Sequence, residues 1–380
     1  MRTRHVVVVA GEASGDMYGA RLAAELQARL PGLRLSGIGG PAMAAAGVEL
    51  LYRAEELSLV GIMEVLPKLG VILRALGGVK RHLRRERPDL VILIDFPDFN
   101  FRLGRAAKHL GLKVLYYVCP QVWAWRRGRA RAMARFVDRL AVTFPFEPEF
   151  LQEIAPELRV TFVGHPLLDD PALLEPEEEE LLVPPEAEVV GLLPGSRHSE
   201  LRRILPVLLR AAAEMHRRRP GLRFVVPMAP GLRGEDLAPY LSLAPPGLSV
   251  VPGRATAVMA RARVLLVASG TATLQAALVG TPMVVVYKTG TLNYLLARAL
   301  IRVEHIAMPN LIAGRRLVPE LIQGRATPAS VAEAGLELLD DGPARREMLE
   351  GLAEVRRRMG GVGASGRVAE MALELMEEGR

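Results

Sequence analysis

The sequence predicts an α/β protein with two doubly wound, Rossmann-like parallel sheets, and three observations carry that expectation. Short β-branched runs alternate with amphipathic helical stretches, the pattern of βα units around sheets buried on both faces. The alternation pauses after the first half and restarts at 188. Between the halves lie Asp169-Asp170-Pro171, Glu175-Pro176-Glu177-Glu178-Glu179-Glu180 and Pro184-Pro185, like charges and prolines that suit a linker or an exposed edge and not a core.

In the first half, strands are expected at 5–10, 33–38, 89–94, 113–118, 138–143 and 159–163. After the first of them, Leu22, Leu26 and Leu30 with Ala23 form one apolar stripe, the face a helix lays on a sheet. In the second half, strands are expected at 188–193, 223–228, 248–252, 264–268 and 283–288. Val264 to Tyr287 carries no charge over a membrane-spanning length. Ser269-Gly270-Thr271, Gln275 and Gly280-Thr281-Pro282 nevertheless divide it into strand, turn, helix, turn and strand. Beyond 326 the chain reads as helix, with a stop at Arg358-Met359-Gly360-Gly361 and a last helix from about 364 to 378.

A chain of 380 residues is long enough for two domains, and 50% hydrophobic with 24% charged residues excludes disordered, collagen-like and mucin-like classes. The single cysteine, Cys119, makes no internal disulfide or Cys-based zinc site and fits a reducing compartment. There is no HExxH and no His/Cys cluster of ligand spacing, so nothing calls for a metal. Val6 to Val9 is too short an apolar run for a signal peptide, with Glu12 and Asp16 close behind. A cytoplasmic protein with any membrane attachment peripheral is expected. The net charge of +7 favours phosphate groups or an anionic membrane surface. Nearly all of its cations are Arg, the exceptions being Lys68, Lys80, Lys108, Lys113 and Lys288, which reflects either genome composition or bidentate phosphate contacts.

The unusual polar clusters fall just after strands, where open α/β sheets bind ligands. Gly11-Glu12-Ala13-Ser14-Gly15-Asp16 permits a tight strand-to-helix turn, with Ser14 or Asp16 as an alternative N-cap. Ile38-Gly39-Gly40-Pro41 is a second Gly-rich turn. Asp95-Phe96-Pro97-Asp98-Phe99-Asn100 sets two carboxylates at the mouth of a very apolar strand, a costly place unless they work. One suits a general base, and Asp98 lies nearer the next helix as a cap. Cys119-Pro120-Gln121-Val122-Trp123-Ala124-Trp125 holds both tryptophans, ahead of Arg126, Arg127, Arg129, Arg131 and Arg135. That loop fits a sugar stack, a membrane interface, a nucleic-acid grip, or two core anchors beside a solvated face. His165, in Gly164-His165-Pro166, either reaches an active site or satisfies a turn.

In the second half, Pro194-Gly195-Ser196-Arg197 at a helix start offers backbone donors, a hydroxyl and a guanidinium to one anion, which suits a diphosphate. Ser269-Gly270-Thr271 repeats the device, and two such turns suit a nucleoside diphosphate, with Gln275 one turn further in reach of a ribose. The stretch from Ile62 and Met63 through Val65, Leu66, Leu69, Ile72 and Leu73 is apolar around much of its circumference, with Lys68, Arg74 and Lys80 nearby. It reads equally as an interfacial helix and as a buried one with a basic continuation.

Taken together, these residues resemble the lipid-A-disaccharide synthase family from Gly11 almost to the end of the chain. The likeness rests on Gly11 to Asp16, Ile94 to Asn100, Val122-Trp123-Ala124-Trp125, Gly164-His165-Pro166, Leu193-Pro194-Gly195-Ser196-Arg197, Ala268-Ser269-Gly270-Thr271 and Pro309-Asn310-Leu311, all in one order. It implies a GT-B type glycosyltransferase, two Rossmann-like domains facing across a cleft, inverting and free of cofactor and metal. The implied domains are 1–166 plus 357–380, facing acceptor and membrane, and 167–356, binding UDP-sugar.

The resemblance further implies a UDP-2,3-diacylglucosamine donor, a 2,3-diacylglucosamine 1-phosphate acceptor, and a β-1′,6-linked disaccharide plus UDP as products. Asp95 would be the general base and Arg197 would bind the diphosphate. Asn310 and the Ser269 to Thr271 turn would line the UDP site, alongside Gly195, Ser196 and Gln275. Ser14, Gly15, Asp98 and Asn100 would contact substrate, and the helix from Ile62 would meet acyl chains at the inner face of the cytoplasmic membrane. No nucleic-acid partner is implied, and there is room for a homodimer. Two positions depart from the family pattern: Gln275 stands where Glu is usual and loses a charge-assisted contact to the ribose, and Cys119 stands where Ser is common. The alternatives are another UDP-sugar enzyme of this fold, such as a 2-epimerase, and a non-catalytic module binding anionic lipid through Arg126 to Arg135.

Overall fold

The computed structural model describes residues 3–57, 65–175, 181–291, 294, 298 and 303–378. The chain divides into two units, Met1–Asp169 with Gly360–Arg380, and Asp170–Met359.

The first unit is built on strands β1 (His5–Ala10), β2 (Arg34–Gly39), β3 (Glu49–Arg53), β4 (Leu90–Ile94), β5 (Lys113–Tyr117), β6 (Arg139–Val142) and β7 (Val160–Phe162). They form one parallel sheet in the order β3-β2-β1-β4-β5-β6-β7. Successive side chains of a strand point to opposite faces, so β1 serves two cores at once. Val7 and Val9 pack with Val91, Leu93, Val114 and Tyr116 on one face, and Val6, Val8 and Ala10 with Ile92, Ile94, Leu115 and Tyr117 on the other. The second face is closed by the helix Ala13–Arg29 and by the last helix, Ala364–Glu377, through Val368, Ala372 and Leu375. Both faces being covered, the central strands need no polar residues.

The second unit contains β8 (Val189–Leu193), β9 (Arg223–Met228), β10 (Leu248–Pro252), β11 (Val264–Ala268), β12 (Met283–Tyr287) and β13 (Glu320–Ile322). They are parallel in the order β10-β9-β8-β11-β12-β13. The uncharged stretch from Val264 is β11, the helix Thr271–Val279 and β12, as expected. Among the described residues, no helix is long and apolar enough to cross a membrane.

Two strands, β3 and β13, were not expected from the sequence. Both are short sheet edges with half-exposed residues, so neither shows the continuous apolar run of a buried parallel strand. Each sheet order also fixes where a crevice opens. Chain direction across the sheet reverses between β1 and β4 in the first unit and between β8 and β11 in the second. Ligands bind at such switch points, outside the carboxyl ends of the strands.

Candidate active site

At the first switch point, Gly11-Glu12 leaves β1 beside Asp95-Phe96 leaving β4, since Ala10 pairs with Ile94. Asp95 and Phe96 both have left-handed backbones, φ 44° and 46°, and Val118 at the end of β5 has φ 62°. Non-glycine residues accept such angles only where the surroundings enforce them, and such strain gathers at functional sites. Here the Asp95 N–H donates to the Tyr117 carbonyl at 3.1 Å. The Asp95 carbonyl accepts from the Tyr116 hydroxyl at 2.6 Å and from Asn100 Nδ2 at 2.8 Å. The Phe96 ring stacks on Phe99, with centroids 5.1 Å apart.

This turn fixes the Asp95 side chain in a half-buried place. Burial, then the negative charge of Glu12, raise its carboxyl to about 6, against a smaller pull from the Phe96 N–H. A carboxylate tuned toward neutrality is suited to accept a proton from a bound hydroxyl. Glu12 is the residue whose part here the sequence reading missed. Its signal lay in the strand order, which makes the residues after β1 and β4 neighbours.

Several of the other expected contacts are spent inside the protein. Asn100 is buried and gives its amide N–H groups to the Ile94 and Asp95 carbonyls, shaping the turn from behind, while its Oδ1 has no hydrogen-bond partner. Gly15 is buried in helix-on-strand packing, where a Cβ would lie 3.2 Å from that of Ala10, whereas Ser14 is exposed. Neither Ser14 nor Asp16 caps its own helix, whose N-cap is Glu12. Asp16 instead accepts the N–H groups of Gly40, Ala42 and Met43, holding the second Gly-rich turn. Asp98 is no cap either, because the helix Pro97–His109 begins after Phe96. It is exposed and ion-paired with Arg129.

The two tryptophans have different fates. Trp123 is buried and its indole N–H donates to Glu147 at 3.2 Å, a carboxylate that also accepts the Thr143 and Phe144 N–H groups. Burial outweighs those donors and raises Glu147 to about 8. Trp125 stands at the surface, with the Arg126 guanidinium 4.3 Å and that of Arg129 5.8 Å from its ring centre. His165 is buried, its Nδ1 accepting the Leu167 N–H at 3.2 Å, and burial lowers it to about 3. It satisfies a turn.

At the second switch point lies a cavity of about 490 Å³, lined by Gly195, Ser196, Arg197, Ser269, Gly270, Thr271 and Gln275. The two small-residue turns thus share one cavity at the ends of β8 and β11. The sequence reading missed Glu200 there: its Oε2 accepts the N–H groups of Ser196 at 3.0 Å and Arg197 at 3.3 Å. Gly195, at φ 104°, makes room for it, since a Cβ would come within 2.2 Å of that oxygen. Arg254, with a left-handed backbone at φ 56°, also lines the cavity, and its signal was Pro252-Gly253-Arg254 directly after an expected strand. Ser269 lends its hydroxyl to the Ile306 carbonyl at 3.2 Å.

Asn310 does not line this cavity. It is fully buried, donates to the Val318 carbonyl and to Glu320, and accepts the Leu317 and Val318 N–H groups. With every hydrogen-bonding site of its amide used, it braces the loop before β13 and has nothing left for a nucleotide. Among the described residues, no three His, Cys, Asp or Glu side chains are grouped to hold a metal.

Of the expected acyl contacts, Ile62 and Met63 lie outside the described residues, and so do the side chains of Val65 and Leu66 in the helix Val65–Glu86. Leu69 and Leu73, one turn apart, are 41% and 49% exposed, while Ile72 packs partly on the core.

Two doubly wound parallel sheets, each with its crevice at a switch point, give the chain the GT-B fold. The fold matches a putative UDP-N-acetylglucosamine 2-epimerase from Listeria monocytogenes with TM-score 0.71 at 14% identity, covering 99% of this chain and 98% of that one. It matches Acinetobacter baumannii MurG with TM-score 0.59 at 16% identity, over 98% and 99%. A family model described as lipid-A-disaccharide synthetase matches residues 6–359, and the chain belongs to that family of glycosyltransferases. Relatives called lipid-A-disaccharide synthase are 44% identical in Myxococcus xanthus and 45% in Geobacter metallireducens, each over 99% of this chain and 98% of the relative.

Proposed function

We propose that the protein joins UDP-2,3-diacylglucosamine to 2,3-diacylglucosamine 1-phosphate, giving the β-1′,6-linked disaccharide and UDP with inversion at the donor's anomeric carbon. Membership of the family supports a reaction on lipid A precursors. The observation that carries the mechanism is the Asp95 carboxyl, held on a strained turn beside Glu12 and raised to about 6. Asp95 takes the proton of the acceptor 6-hydroxyl as that oxygen attacks the anomeric carbon, and the bond to the UDP oxygen breaks in the same displacement. Arg197 and the backbone donors of the Gly270-Thr271 turn stabilise the departing diphosphate, the kind of fixed electrostatic help worth a few kcal/mol in a transition state. Gln275, one of the residues lining the cavity, serves the ribose in this reading. The protein works peripherally at the inner face of the cytoplasmic membrane, and the exposed Leu69 and Leu73 support that placement.

The test is UDP release by purified protein given donor and acceptor together, with a chelator present, against each lipid alone. Release that needs both and survives chelation is expected. UDP release from the donor alone, or release unchanged when the acyl chains are removed, would overturn the reading in favour of another UDP-sugar enzyme such as a 2-epimerase.

A further inference from the structure

The arginines after Trp125 are not one solvated basic face. Arg127 lies over Phe150 at 5.0 Å, Arg131 donates to the Ile154 carbonyl, and Arg129 is ion-paired with Asp98 while lying 5.3 Å over Phe101. Each of these three is engaged by the protein itself, and Arg135, further along, is exposed. Arg126 differs in the ring it covers: its guanidinium lies over the exposed Trp125, its backbone is left-handed at φ 57°, and, as for Arg127 and Arg131, no carboxylate pairs with it among the described residues. A guanidinium over an aromatic face keeps its N–H edges outward, in the fork that matches a phosphate.

The position of this group relative to the base gives it a use. Asp98 stands on the same turn as Asp95, and its ion pair with Arg129 ties the Trp125 loop to that turn. Burial holds the Tyr116 hydroxyl, the donor to the Asp95 carbonyl, well above its usual range, and Arg129 is near enough for its charge to offset part of that. In a hexosamine 1-phosphate, C1 with its phosphate and C5 with the 6-hydroxyl arm both flank the ring oxygen. A base for the 6-hydroxyl therefore needs an anion subsite within the span of one sugar.

We propose that Arg126, over Trp125, binds the anomeric phosphomonoester of the acceptor, with the Arg129–Asp98 pair holding that surface against the Asp95 turn. This rests on the reading of Asp95 as base to the acceptor. The exposed part of the indole gives the sugar an apolar face, and Arg126 selects acceptors by their charge.

The experiment compares acceptors with and without the 1-phosphate, for the wild type and for Arg126→Gln and Arg126→Lys. The wild type prefers the phosphorylated acceptor. In Arg126→Gln that preference collapses by about 10- to 100-fold, chiefly through KM for the acceptor, as expected for losing a charge-assisted contact. Arg126→Lys recovers part of it. An unchanged preference in an Arg126→Gln protein of wild-type Tm and UDP affinity would overturn the proposal. So would lost sedimentation with phosphatidylglycerol vesicles while the preference stays, which would assign Arg126 to the membrane. If the wild type makes disaccharide from neither acceptor, the transferase reading itself fails and the proposal falls with it.

Discussion

The Phe96 ring occupies the space a side chain on Gly11 would fill, since a Cβ there would stand 2.3 Å from Phe96 Cγ. This ties the turn after β1 to the turn carrying Asp95. Gly11→Ala therefore forces the ring, and the left-handed pair Asp95-Phe96, to move. Overpacking of this kind costs about 1–3 kcal/mol. Misplacing a catalytic group by an ångström costs about 100-fold in turnover. Thermal unfolding and single-turnover rates together check both, and a variant with normal turnover would show that the turn tolerates the displacement.

The pH dependence of kcat/KM is expected to rise through about pH 6 as Asp95 loses its proton, because burial and Glu12 hold its carboxyl there. Glu12→Gln removes the second cause and leaves the first. The rising limb then moves to lower pH, and a limb that stays in place would mean that the two carboxyls do not interact.

The same carboxyl weakens the fold. Its value is raised from 3.8 to about 6, so the folded state holds the proton more tightly than the unfolded chain. Stability is full below the unfolded value and is lost as pH rises through the folded one. The loss is at most about 3 kcal/mol at neutral pH, from 1.36 kcal/mol per unit. Asp95→Asn is expected to raise Tm at pH 8 and to leave it nearly unchanged at pH 4. Equal Tm changes at both values would contradict the buried-charge account.

Glu200 holds the N–H groups of Ser196 and Arg197, and its Oε1 lies 3.7 Å from the Arg197 guanidinium. A diphosphate in this cavity meets that charge. Glu200→Gln is expected to cost about 1 kcal/mol of stability as the helix start loses its charged acceptor. It is also expected to tighten UDP several-fold, since like charges about 4 Å apart near a surface repel by roughly 1–4 kcal/mol. Calorimetric titration with UDP checks this, and weaker binding would make Glu200 a support of the loop and not a competitor.

Where the sequence could be read and where it could not follows from burial. The central strands were legible because a sheet covered on both faces demands runs such as Val6 to Val9 and Leu90 to Ile94. The edge strands β3 and β13 were not, because an edge needs no such run. The strand ends that carry Asp95, Arg197 and Ser269 were legible because polar clusters there break the apolar pattern. Which way each polar side chain turns was not. Asn100 and Asn310 look like ligand contacts in the sequence, yet in the fold the N–H groups of Asn100 and the whole amide of Asn310 are spent inside the protein. Glu12 and Glu200 looked incidental. They gain meaning only from strand adjacency in one case and from a left-handed Gly195 in the other.

The central claim is that Asp95 takes the proton from the acceptor hydroxyl, and single-turnover disaccharide formation by Asp95→Asn, with both lipids saturating, addresses it most directly. The expected result is a fall of about 10²- to 10⁴-fold, the usual worth of a general base, in a protein that still binds UDP. A rate equal to that of the wild type would contradict the claim.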